Sequence, residues 1–90
     1  MVNYSGHEGK SIDDAIIISD VDNHFDGINA EYRYIENSYG RRGVDWQLIR
    51  QELLNENQKV YDRILIQLSD QTEISLYFNL TEFFGKGFSF

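Results

Sequence analysis

A two-layer α+β fold, with one amphipathic helix packed on a four-stranded mixed sheet in the order strand, helix, strand, strand, strand, is predicted by three features of this 90-residue chain. Residues 59–80 alternate apolar and polar side chains on both sides of a short polar break, as a β-hairpin with one buried face does. Phe25, Ile28, Tyr32, Ile35 and Tyr39 are spaced three, four, three and four apart, the interval of a helix face. Ala15–Ser19 is a short β-branched run bounded by acidic residues, which marks a strand.

Residues 1–11 have no apolar periodicity and include Gly6 and Gly9, so they are expected as an N-terminal tail, with residues 12–90 as a single domain. Three consecutive isoleucines give the first strand two apolar faces. Asn23 stands at the N-cap position of the helix and Gly40 at the position just past its end, with Asp26 and Arg41–Arg42 placed to complement the helix dipole. Tyr34 falls off the apolar stripe and is expected to face solvent. Residues 44–54 fit a helix with Asp45 as cap, or a strand whose facing changes at a bulge near Leu48 and Ile49. The strand is preferred, because the polar turn 55–58 then joins it to the hairpin as a meander. Ser69, Asp70 and Gln71 form a three-residue hairpin loop with Gln71 left-handed, pairing Ile66 with Ile74 and Ile64 with Leu76. The strand-helix-strand passage is right-handed, which makes the first strand parallel to the second or the last. The expected core joins Ile28, Tyr32 and Ile35 to Ile64, Ile66, Leu68, Ile74, Leu76 and Phe78. The last ten residues hold four phenylalanines, expected either to cover the second sheet face over Ile17, Leu65 and Tyr77 or to meet a partner.

The net charge of -7 is uneven. Residues 11–32 contain Asp13, Asp14, Asp20, Asp22, Asp26 and Glu31 and no base. Such a field repels phosphate backbones, which excludes nucleic acid as the expected partner and suits a basic protein. No apolar run has the length of a membrane span and no secretory pattern opens the chain, so no membrane partner is expected and cytoplasmic residence is. With no cysteine there is no thiolate catalysis, disulfide or Cys-ligated zinc.

No motif specifies a reaction, a cofactor or a metal. The segment from Asp20 resembles a calcium loop only until His24 and Phe25 occupy the fifth and sixth positions, where an oxygen ligand and glycine are needed. His7 and His24 have no metal-ligand spacing, Gly85-Lys86-Gly87 is followed by no helix, and Asp45 beside Trp46 is a weak sugar-site signal. The sequence therefore reads as a non-enzymatic interaction or regulatory module, monomeric or weakly dimeric. Its candidate contacts are Asp13, Asp14, Asp20, Asp22, Tyr34, Phe88 and Phe90. The alternative is a small-ligand binder or enzyme whose pocket on the open sheet face would bring together Tyr77, Trp46 and a carboxylate.

Overall fold

The computed structural model describes residues 3–5, 8–21 and 24–82. Its elements are β1 (Asn3–Ser5), β2 (Ile16–Ser19), α1 (His24–Tyr39), β3 (Trp46–Glu56), β4 (Lys59–Leu68) and β5 (Glu73–Asn79). The strands form one mixed sheet in the order β1-β2-β5-β4-β3, with α1 on one face. The helix and the four expected strands are all present, and β2 lies parallel to β5, the last strand. One addition was not anticipated: within the segment expected as a tail, Asn3–Ser5 pairs antiparallel with β2 as a short edge strand.

The β3–β4–β5 meander follows directly from side-chain alternation. Ile66 pairs with Ile74 and Ile64 with Leu76, so apolar partners share the helix-facing side. The loop between them has the expected form: Gln71 N–H donates to the Leu68 carbonyl (2.8 Å), Leu68 N–H donates to the Thr72 carbonyl (2.8 Å), and Gln71 takes a φ of 72°. Asn57 and Gln58, both with positive φ, make the tight turn from β3 to β4. Residues 46–56 are a strand, and its register shifts between Leu48 and Arg50. The bulge resets the alternation, so that Trp46 and Leu48 before it and Gln51 and Leu53 after it share the helix-facing side.

The core cluster contains Ile16, Ile18, Ile35, Trp46, Ile64, Ile66, Leu76, Phe78 and Leu80, all essentially inaccessible. Tyr32, Leu68 and Ile74 pack at its margin. The helix ends as its residues dictate: Gly40 has a φ of 106°, its N–H donates to the Glu36 carbonyl (3.0 Å), and its own carbonyl accepts from Trp46 Nε1 (2.8 Å). Asn23 lies outside the described residues. Among the described residues no helix is long and apolar enough to cross a membrane.

The helix is turned from the orientation its apolar stripe predicts. Gly27, Ala30, Glu31 and Ile35 are buried, whereas Ile28, Tyr32 and Tyr39 are only half-buried. At 100° per residue the buried line sits roughly a quarter turn from the centre of the apolar line. Two small residues, Gly27 and Ala30, lie on the buried line, and the surplus apolar flank turns toward β3, where Tyr32 Oη donates to Gln51. The opposite flank carries Tyr34, which is half-buried rather than solvent-facing. It packs against Tyr4 of β1 (ring centroids 5.3 Å) and edge-on to Phe78 (5.8 Å). Tyr4, whose hydroxyl donates to the Ala30 carbonyl (2.8 Å), supplies the cover that the expected tail would not have provided.

Candidate functional site

Two carboxyl groups meet inside the molecule, where carboxyls are rarely found unless paired. Glu31 on α1 is 0% exposed and Asp62 on β4 is 2% exposed. Asp62 occupies the core-facing phase of β4 between Val60 and Ile64, and cross-strand from it stand Phe78 of β5 and Leu53 of β3. Glu31 lies on the buried line of α1, one turn before Ile35.

A relay of hydrogen bonds connects this pair to the surface. Gln51 Nε2 donates to Asp62 Oδ2 (2.6 Å), and Tyr32 Oη donates to Gln51 Oε1 (2.7 Å). The guanidinium of Arg42 lies over the Tyr32 ring at 5.1 Å and faces Trp46 at 6.0 Å. Gln51 is exposed and Tyr32 half-buried, so a single amide separates the buried acids from solvent.

As an ionised group Glu31 would have no donor for either oxygen among the described residues. As a carboxylic acid it can instead donate to Asp62. Burial, the hydrogen bond to Asp62 and the negative charge of Asp62, in that order, push Glu31 up to about 11 from an ordinary value of 4.5. Burial also raises Tyr32; Arg42 opposes the shift, and Glu31 and Asp62 add to it. The arrangement can hold a proton near neutrality, and it can receive a cation when that proton leaves.

The acidic residues singled out in the sequence do not form one cluster. Asp13 and Asp14 precede β2 and Asp20 follows it, so the length of the four-residue strand, about 13 Å at about 3.3 Å per residue, lies between them. Asp14 is drawn into the turn before β2, where its Oδ2 accepts from Lys10 N–H (3.4 Å). Asp22, Phe88 and Phe90 lie outside the described residues, as does the rest of the phenylalanine-rich terminus. The expected convergence of Tyr77 and Trp46 does not occur, because alternation places them on opposite sheet faces. Trp46 is buried beneath the helix end, while Tyr77 is on the outer face beside Arg63 (5.9 Å), which also bonds Glu52 and Ser75 (3.2 Å each). The Asp45 carboxylate closes the loop after α1 by accepting from Arg41 N–H (2.7 Å).

Sequence reasoning missed both members of the buried pair. Glu31 counted only as part of an acidic segment, although Ile28 and Ile35 flank it at helical spacing. Asp62 is the one ionisable residue in phase with Val60, Ile64, Ile66 and Leu68, and that gap in the alternation was its signal.

Among the described residues the β3 edge of the sheet is open beyond Trp46, whose carbonyl accepts from Gly43 N–H (2.7 Å). Ile49 and Leu53 are 47% and 52% exposed on the outermost strand, and Val44 just before it is 66% exposed. Leu53 faces the helix side directly opposite Asp62, so exposed apolar surface and buried carboxyls adjoin. Comparison of the chain with models of protein families, with curated proteins and with solved structures finds no match.

Proposed function

We propose that this chain is a protein-interaction module that takes an extended segment of a basic partner along the outer edge of β3. The observation that carries this reading is the long edge strand with Ile49 and Leu53 exposed on it, beside the surplus apolar flank of α1 at Tyr32. An unpaired strand edge offers backbone donors and acceptors in register, and alternate side chains of an added strand reach the helix-facing side. Asp13, Asp14, Asp20 and Asp22, within a chain of net charge -7, would act at longer range by speeding the encounter with a basic partner. The same charge disfavours nucleic acid, and cytoplasmic residence belongs to this reading.

A displayed library of extended peptides, panned against the intact chain, tests the proposal. Selected peptides should shift the backbone amide resonances of residues 47–55 and lose binding to the Ile49→Lys/Leu53→Lys double variant, whose thermal unfolding should match wild type. Selected peptides that bind the double variant unchanged, or shifts confined to residues 13–20, would overturn it. A dimer that the double variant dissolves, with no peptide selected, would assign the edge to a second copy instead.

A further inference from the structure

We propose that the Glu31–Asp62 pair is a recognition site for one lysine or arginine side chain of the partner segment docked on β3. This rests on the interaction reading above and names what that surface selects.

Three observations converge on it. The pair lies one strand in from the open edge, on the side to which an added strand would direct alternate residues. Both Glu31 oxygens lack donors among the described residues, and Asp62 Oδ2 takes its bond from the side-chain amide of an exposed residue, Gln51, which can rotate aside. The approach suits the stem of a long basic side chain: the half-exposed Leu53 is on one side and the Tyr32 ring, already stacked by Arg42, is on the other. A purely structural role explains the pair less well, because well-packed apolar residues at such positions are commonly as stable or more so. A local rule broken in the middle of an otherwise consistent core is where function is expected.

The groups facing the pair are Tyr32 on α1, Gln51 and Leu53 on β3, Phe78 on β5, and Arg42 beyond the Tyr32 ring. None of these takes the Glu31 proton. On binding, the incoming cation's N–H groups replace Gln51 Nε2 at Asp62 and donate to Glu31, whose O–H bond breaks and releases its proton to the buffer. The complex then holds one cation between two carboxylates. Binding is coupled to the release of one proton, with the raised affinity of free Glu31 for its proton setting the pH dependence.

Short peptides alternating threonine and valine, with arginine, lysine or norleucine at one central position, provide the probe. Titration calorimetry at about pH 7, in two buffers of different ionisation enthalpy, gives affinity and proton count together. The arginine and lysine peptides should bind about tenfold or more tighter than the norleucine peptide and release close to one proton. Moving the cation by one residue turns it to the other sheet face and should erase that advantage, which separates the site from general attraction to an acidic protein. Glu31→Gln should bind without proton release, and Asp62→Asn should lose the preference for a cation. Equal binding of all peptides would overturn the cation site while leaving β3 docking intact. An advantage that survives the one-residue shift, or proton release that survives Glu31→Gln, would also overturn it. Binding of no peptide would overturn both readings.

Discussion

Replacing Glu31 with glutamine removes one buried proton while leaving shape and a donor for Asp62 nearly unchanged, so its effect on stability can be worked out from the structure. In the unfolded chain Glu31 ionises near 4.5, whereas in the folded chain burial and Asp62 keep it protonated to about 11. Between those values the unfolded state binds fewer protons than the native state, so stability falls as pH rises, by about 1.4 kcal/mol per pH unit. By about pH 7 the separation from 4.5 is about 2.5 pH units, and the cost reaches about 3 kcal/mol. That is a large part of a typical stability of about 5–15 kcal/mol. Glutamine carries no such linkage. Glu31→Gln should therefore match wild type near pH 4 and exceed it by up to about 3 kcal/mol near pH 7, less whatever the neutral amide loses as a partner for Asp62. Urea denaturation across this range, followed by the fluorescence of the single buried tryptophan, Trp46, measures the difference between the two profiles. Parallel profiles, or a variant that loses stability at every pH, would refute the assignment of a protonated Glu31.

Other expectations follow from packing and backbone geometry. Ile66→Ala or Leu76→Ala, each opening a cavity in the fully buried hairpin face, should cost about 2–5 kcal/mol by chemical denaturation; an unchanged midpoint would contradict the core assignment. Gln71 holds a φ of 72°, so Gln71→Gly should be neutral or stabilising in thermal unfolding, and a loss of more than about 1 kcal/mol would contradict the turn. Gly40 has a φ of 106° and a β-carbon there would run into the Asp45 side chain, so Gly40→Ala should destabilise by more than about 1 kcal/mol in the same assay. Changing Asp13, Asp14, Asp20 and Asp22 together to Asn should slow association with a selected basic peptide and flatten its salt dependence in stopped-flow measurements. An unaltered on-rate at low salt would assign those charges to solubility.

Particular residues explain what could be read in advance. The hairpin register, the left-handed Gln71 and the bulge at Ile49 were legible because a strand's period of two allows only one arrangement that keeps Ile64, Ile66, Ile74 and Leu76 together. The C-terminal end of the helix was legible because Gly40 permits a backbone conformation that most residues resist. The rotation of α1 was not, since its buried line is built from Gly27, Ala30 and Glu31, residues that a count of apolar side chains passes over. Tyr34 was misplaced for a related reason: its partner Tyr4 lies on a strand too short and polar to announce itself. Both acids of the site were hidden because each looks like surface in composition, and only their meeting across helix and sheet makes them unusual.

The seam between β2 and β5 has a kinetic consequence. Their ladder consists of two residue pairs, Ile16 with Phe78 and Ile17 with Asn79, extended where Tyr77 N–H donates to the Gly9 carbonyl (2.8 Å). The long antiparallel ladders of β3, β4 and β5 are sequence-local and should form early, with β1, β2 and α1 docking afterwards. In native hydrogen exchange the amides of β2 should accordingly open with lower free energy than those of β4, as a separate cooperative unit. Lifting that unit carries α1 off the sheet and exposes Glu31 to water, where its proton is no longer held. Alkaline conditions should thus favour the partly open state over the closed one, speeding exchange in β2 beyond the ordinary base-catalysed increase while leaving β4 protected.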